Sequence, residues 1–189
     1  NSLELARRLL RSEREINARL RAIVDGPLEG CRIRCHGDYH LGQVLHTGKD
    51  FVIIDFEGEP QRSDAERRRK RSPLADVAGM LRSFHYAAFG VLTGDLPGSS
   101  VRQEDVPQLM PWTQLWYQWV AAAFLEAYLE AARPAGVLPT NPAALSLQLD
   151  VQLLEKGLYE VGYELNNRPD WVAIPLGGVL DVLGAGRDG

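Results

Sequence analysis

The chain has 189 residues, 45% of them hydrophobic and 24% charged, with a formal net charge of −4 at pH 7. This is the composition of one ordinary globular domain, and it argues against disorder, a collagen-like repeat or a disulfide-dense scaffold. No apolar run approaches the roughly 20 residues that span a bilayer, and the acidic balance argues against broad nucleic-acid binding.

The start, Asn1-Ser2-Leu3-Glu4, carries neither a signal-peptide pattern nor an initiator methionine, as expected of a processed or excised chain. Residues 3–24 read as one helix: Leu5, Leu9, Ile16, Leu20 and Ile23 share a stripe, and Arg7, Arg8, Arg11, Arg14 and Arg19 can point outward. Asp25-Gly26-Pro27 stops it. Cys31 and Cys35 read as free thiols in a reducing cytoplasm, with a disulfide or metal pair as the alternative. Two short extended runs, 43–46 and 51–56, flank Thr47-Gly48-Lys49-Asp50, a good hairpin loop. Phe51-Val52-Ile53-Ile54 is apolar throughout and is expected to be buried, with Asp55 where the strand runs out into a cleft.

Residues 60–72 set Arg62, Arg67, Arg68, Arg69, Lys70 and Arg71 against only Asp64 and Glu66. Such a run reads as a solvated surface, or else as an attractor for a phosphorylated ligand or an acidic partner. Ser72-Pro73 then opens a helix as N-cap and first residue. Its apolar positions Leu74, Val77, Leu81, Phe84, Ala88 and Val91 step by 3, 4, 3, 4, 3. Residues 93–110 read as a flexible connection, and a third long helix runs from Pro111 to Ala132. Its Trp112, Trp116 and Trp119 are expected in a core or an interface, with sugar stacking as the alternative. After a turn at 136–142, a helix over 143–166 repeats the 4, 3 spacing through Leu147, Val151, Leu154, Leu158, Val161 and Leu165, and a last helix covers 171–183. The fold expected is mainly α (α+β), helical with one small β-hairpin. Neither a strand–helix–strand alternation nor a glycine-rich phosphate loop is present.

Titratable side chains concentrate in His36-Gly37-Asp38-Tyr39-His40-Leu41-Gly42-Gln43 and in Asp55-Phe56-Glu57-Gly58-Glu59, joined by the hairpin. Two carboxylates flanking a hairpin, with an amide five residues after the first, suit phosphoryl transfer: one carboxylate orients the attacking hydroxyl, and the other holds Mg²⁺ with an amide oxygen. His36-x-Asp38-x-His40 also invites a metallohydrolase reading, but His46 and His85 sit in no ligand-like cluster.

His36-Gly37-Asp38 with an amide at Gln43, then Asp55-Phe56-Glu57, resembles the H-x-D-x-x-x-x-N and D-F-G pattern of protein kinases in its small-molecule form, that of aminoglycoside phosphotransferases. With VIIDFEGEP, ERRRKRSPLADVAGMLRSFHYAA and YELNNRPDW added, residues 30–180 resemble maltokinase, above all the maltokinase portion fused to trehalose synthase. The resemblance implies a kinase-like C-lobe that takes Mg²⁺, ATP and maltose, makes maltose 1-phosphate for α-glucan (glycogen) synthesis, and acts in the cytoplasm. It implies Asp38 as catalytic base, Asp55 and Gln43 as metal and cofactor ligands, and His36 and Asp76 as structural support. His40, Glu57, Arg82, Tyr159 and Glu164 would touch the sugar, with His85, Glu155, Tyr163 and Asn166 as further candidates. Gln43 stands where most such kinases have Asn, and Glu57 replaces the Gly of D-F-G.

Residues 1–30 would then be an N-terminal helix and linker, 31–60 the catalytic loop and metal-binding hairpin, and 61–189 the helical remainder of the same lobe. Nothing before residue 30 can form a nucleotide-binding N-lobe, so the lobe alone is expected to be inactive. The alternatives are a kinase of glucosamine or glucose, and a non-catalytic docking module of a trehalose synthase assembly; neither nucleic acid nor membrane is expected as a partner.

Overall fold

The structure is a computed structural model that describes residues 2–26, 29–93 and 101–184. In chain order the elements are α1 (Ser2–Arg11), α2 (Glu13–Asp25), β1 (Val44–His46), β2 (Phe51–Ile53), α3 (Asp64–Arg67), α4 (Leu74–Gly90), α5 (Val106–Ala132), α6 (Pro142–Asn167) and α7 (Ala173–Gly184). Of the connection expected at 93–110, residues 94–100 fall outside the described residues and 106–110 are helical.

The single N-terminal helix expected is two. Ser12 interrupts it, its hydroxyl donating to the Arg8 carbonyl at 3.1 Å while its own N–H is shared between the Arg8 and Leu9 carbonyls; a serine side chain that competes for backbone partners bends a helix in this way. The third long helix starts at Val106, five residues before Pro111, which lies inside it. Lying past the first turn, Pro111 has no N–H to give the Pro107 carbonyl, so the helix forgoes one backbone hydrogen bond there. The next helix follows its pattern, with Asn141 Oδ1 accepting from the Ala143 N–H at 2.8 Å as N-cap and Pro142 at the first position.

α6 is the central element, lying against α4, α7 and α2. The 3, 4 spacing of α4 and α6 becomes a core on two sides. Leu74, Val77, Leu81 and Leu138 pack with Phe84, Phe124, Leu149 and Leu153, and Ile16, Leu154, Val179 and Leu183 pack with Leu9, Leu20 and Leu158. The second cluster ties the N-terminal helices to the body, and Arg19 reinforces it by donating to the Val182 and Leu183 carbonyls at the end of α7, at 2.8 and 2.9 Å. Among the described residues no helix is long and apolar enough to cross a membrane.

Two burial expectations are corrected. Phe51, Val52 and Ile53 are exposed, because among the described residues β2 pairs only with β1, in a two-stranded antiparallel ribbon (Val44 opposite Ile53, His46 opposite Phe51). Trp112, Trp116 and Trp119 are likewise exposed, which overturns the core half of the core-or-interface expectation: Phe124, Leu125, Tyr128 and Leu129 make the inward face of α5, and the indoles lie on another.

Candidate functional site

The segment from Ile33 to Asp38 has no regular structure of its own and is held from outside. Ile33 and Arg71 exchange backbone hydrogen bonds at 2.9 Å. Asp76, in the first turn of α4, accepts from the His36 N–H at 2.7 Å and the Gly37 N–H at 2.9 Å, one carboxylate oxygen each. Gly37 has φ +88, a conformation that a glycine adopts without strain. The His36 ring is buried between the two acidic loops. Its Nε2 donates to the Ile54 carbonyl at 2.7 Å, and its Nδ1 accepts from the Asp38 N–H at 3.4 Å. A carbonyl can only accept and an amide N–H only donate, so the pair of bonds selects the Nε2–H tautomer. One imidazole thus fixes Asp38 relative to the residue that precedes Asp55.

Asp55 is the one non-glycine residue with positive φ (+61) among the described residues. Such a backbone costs about 1–2 kcal/mol for an L-residue, less for Asp than for most, and persists where the surroundings impose it. Here the Ile54 N–H is bonded to the Gln43 carbonyl at 3.0 Å, and Gln43 Nε2 donates to Asp55 Oδ2 at 2.9 Å. Gln43 ends a short 3₁₀ turn, Leu41–Gln43, whose start is capped by His40 Nδ1 accepting from the Gly42 N–H at 3.1 Å. Its amide nitrogen is spent on Asp55, and among the described residues its amide oxygen has no hydrogen-bond partner. Among the described residues no three His, Cys, Asp or Glu side chains gather as a metal site. The donor set of Asp55 and Gln43 Oε1 therefore fits Mg²⁺, which is commonly held by one or two protein oxygens together with phosphates and water, and does not fit a Zn²⁺ cage.

Beside Asp38 opens a cavity of about 400 Å³, within the range of small-molecule sites. The loops give it Asp38, His40 and Glu59; α4 gives Ser83 and Tyr86; α6 gives Lys156, Tyr159, Glu160, Tyr163 and Glu164; and Arg168 closes the end. Glu164 is buried and fully partnered, accepting from Tyr86 Oη at 3.0 Å and from Arg168 Nε and Nη2 at 3.0 and 2.7 Å. Glu160 accepts from the buried Arg82 at 2.7 Å. Burial, then the charges of Glu160 and Glu164, push the Tyr86 hydroxyl well above its ordinary value. Burial and the neighbouring Glu59 push Tyr159 up to about 12. Both phenols therefore stay protonated across the physiological range and act there as donors.

The structure brings Asp38, His40, Tyr159 and Glu164 to one cavity, and pairs Gln43 with Asp55 at the hairpin base. Two sugar-contact candidates are corrected. Arg82 is 2% exposed and turned to Glu160 behind the wall, because a stem placed at the buried centre of α4 reaches no cavity. Glu57 is exposed and outside the cavity: Gly58, at φ +82, turns the chain so that Glu59 faces inward instead. Of the further candidates, Tyr163 lines the cavity. His85 lies elsewhere, stacked on Phe89. Glu155 pairs with Arg62 and Arg71, and Asn166 bonds its own helix at the Gly162 carbonyl. Sequence reasoning missed Ser83, Tyr86, Lys156 and Glu160. A signal existed in α6, where Lys156, Glu160 and Glu164 recur every four residues as a polar stripe beside the apolar one.

No family model matches the chain. It is similar to two curated glucosamine kinases: that of Streptacidiphilus jiangxiensis, 30% identical over 179 residues, and that of Mycolicibacterium smegmatis, 33% identical over 173 residues. These alignments take in 89% and 88% of this chain but 35% and 38% of the relatives, so the chain spans little more than a third of their length. Among solved structures it resembles a glucosamine kinase in complex with glucosamine, ADP and inorganic phosphate, with a TM-score of 0.75 at 20% identity, covering 97% of this chain and 43% of that one. A second crystal form of glucosamine kinase gives 0.73 at 21%. The fold is thus a mainly α, kinase-like C-lobe with a small antiparallel hairpin. The relatives named are sugar kinases, and the expectation of maltose has no support from them.

Proposed function

We propose that these residues form the acceptor-binding, catalytic C-lobe of an ATP- and Mg²⁺-dependent sugar kinase, with an amino sugar such as glucosamine preferred to maltose as the acceptor. The observation that carries the reading is the tether at His36, which locks an aspartate opening on a sugar-sized cavity to a second aspartate held in a left-handed conformation beside an amide. In this reading Asp38 accepts the proton of the attacking alcohol, and the polar walls of α4 and α6 hold the ring. Asp55 and Gln43 would hold Mg²⁺, which neutralises charge on the nucleotide phosphates when bound. His36 and Asp76 keep the loop in place. The acceptor preference rests on the names of the relatives and on the cavity's own charge: the carboxylates of Asp38, Glu59, Glu160 and Glu164 face three cations, Lys156 and Arg168 on the lining and Arg82 behind it, and the negative balance suits an ammonium-bearing sugar.

The relatives' greater length and the uncovered hairpin support a site completed by further polypeptide that holds the nucleotide. The 189 residues alone should therefore turn over ATP poorly. The test is a coupled ADP-release assay on the complete polypeptide with glucosamine, glucose and maltose. Glucosamine should be the best acceptor, and Asp38→Asn should lower kcat by about 10²–10⁴-fold with an unchanged melting temperature. Absence of sugar-dependent ADP release with every acceptor would overturn the reading.

The exposed indoles of α5 favour a second reading, in which this lobe mainly docks onto another protein such as trehalose synthase. It requires Trp112→Ala and Trp119→Ala to abolish co-sedimentation with that partner while leaving any kinase activity untouched.

A further inference from the structure

Lys156 stands at the junction of two cavities: the large one described above and a smaller, more enclosed one between the loop, α4 and α6. Asp38, Glu59, Gly79, Lys156 and Tyr159 line both. Its ammonium lies 3.8 Å from Asp38 Oδ1, 3.5 Å from Glu59 Oε2 and 5.3 Å from the centre of the Tyr159 ring. Both carboxylates are within ion-pair range, so Lys156 stands between them as a point charge shared by the two.

The other cations of the two cavities face carboxylates other than Asp38: Arg71 and Arg62 face Glu155 at 3.1 and 3.7 Å, and Arg168 is forked onto Glu164. From His36 to Asp55 the only Lys or Arg is Lys49, in the hairpin loop away from the site. Phosphoryl transfer spreads negative charge over the equatorial oxygens of the moving group, and a cation beside the acceptor oxygen stabilises that charge. Lys is suited to such a task, being a compact charge on a flexible stem that can change partners.

We propose that Lys156 is a catalytic residue, whose ammonium leaves the Asp38–Glu59 pair to contact the oxygens of the transferred phosphoryl group. The inference rests on the sugar-kinase reading. As the bond from the sugar oxygen to the γ-phosphorus forms and the bond from that phosphorus to the bridging oxygen of ADP breaks, the alcohol proton passes to Asp38. Lys156 keeps its own protons and bridges Asp38 and the phosphoryl oxygens. Glu59 holds the ammonium near the site between turnovers.

The test uses Lys156→Ala and Lys156→Met in the complete polypeptide, with sugar affinity measured by calorimetry and folding by thermal melt. The expected result is a kcat about 10²–10³-fold lower, with the sugar dissociation constant and melting temperature close to wild type. Added methylammonium should restore part of the Lys156→Ala rate, an effect that a merely structural role would not show. A kcat within threefold of wild type overturns the proposal, as does a rate loss matched by an equal loss of sugar affinity and unresponsive to amines. The wild-type control separates the two readings. If it phosphorylates no sugar, both fail; if it does while Lys156→Ala is unimpaired, the role of Lys156 alone fails.

Discussion

A buried histidine outside the candidate site shows how one side chain's surroundings set a property of the whole fold. His85 is 2% exposed, stacked on Phe89 with ring centres 4.3 Å apart and set edge-on to Tyr117, with the charge of Arg82 nearby. Burial first, and then Arg82, lower its pKa from 6.5 to about 2. The unfolded chain takes up this proton near pH 6.5 and the folded one does not until about pH 2, so between these values the unfolded state binds more protons and stability rises with pH. The contribution is fully present above pH 6.5 and is lost on acidification, by up to about 1.4 kcal/mol per pH unit. Asp181 faces His85 at 4.0 Å, and burial raises its carboxyl above the ordinary value, so its own titration opposes the trend. Urea midpoints measured from about pH 7 down to about pH 5 should fall for the wild type, and should fall less steeply for His85→Leu. Equal slopes would show that His85 is accessible to protons in the folded state. The two site aspartates owe their placement to backbone instead, through the left-handed φ at Asp55 and the two N–H bonds to Asp76.

At the scale of elements, the site is a question of how closely α4 can approach the loop that carries Asp38. A Cβ built on Gly79 would lie 2.7 Å from the Tyr39 carbonyl oxygen, one residue from Asp38. Alanine in a helix interior ordinarily gains about 0.5–1 kcal/mol over glycine. Here the obstacle is backbone, which cannot swing aside, so Gly79→Ala should instead cost about 1–3 kcal/mol in urea unfolding and should depress kcat by displacing Asp38. A stabilised variant of full activity would mean that the loop yields freely.

What was legible in the sequence divides along the same line. The 3, 4 spacing in α4 and α6 marked both helices and their core faces, and the clustered His36–Gln43 and Asp55–Glu59 motifs marked the acidic loops, because each signal is local. The partners of Arg82 and Glu164 were not legible. Which polar residue of α4 meets which of α6 depends on how the helices cross, and residues such as Tyr86 and Glu164 are 78 positions apart. For Lys156 the polar stripe of α6 marked the helix face but not the partner, since only the fold of the 36–40 loop brings Asp38 to it. The helix begun too late at Pro111 and the helix drawn through Ser12 were local misreadings, a proline taken for a start and a serine for a neutral filler.

For the molecule as a whole, the hairpin is the feature that a self-contained domain would not keep. Leu45, Phe51, Val52 and Ile53 are each between 42% and 67% exposed and lie on one ribbon next to Asp55. A two-stranded ribbon with apolar residues on open faces is marginal in water and prone to self-association, so its sequence makes physical sense where another surface covers it. In the reading proposed here that cover is the nucleotide-holding polypeptide, and the ribbon would form its floor. Two measurements then follow from one cause. The 189 residues alone should bind a hydrophobic dye and self-associate with rising concentration, and the double variant Phe51→Thr, Val52→Thr should reduce both without lowering the melting temperature, since neither side chain belongs to the core. In the complete polypeptide the same pair should leave the fold intact and weaken the apparent affinity for ATP. If the double variant leaves dye binding and ATP affinity unchanged, the ribbon is not that floor. The nucleotide would then have to be held some other way, although Asp38 and its cavity would stand as they are.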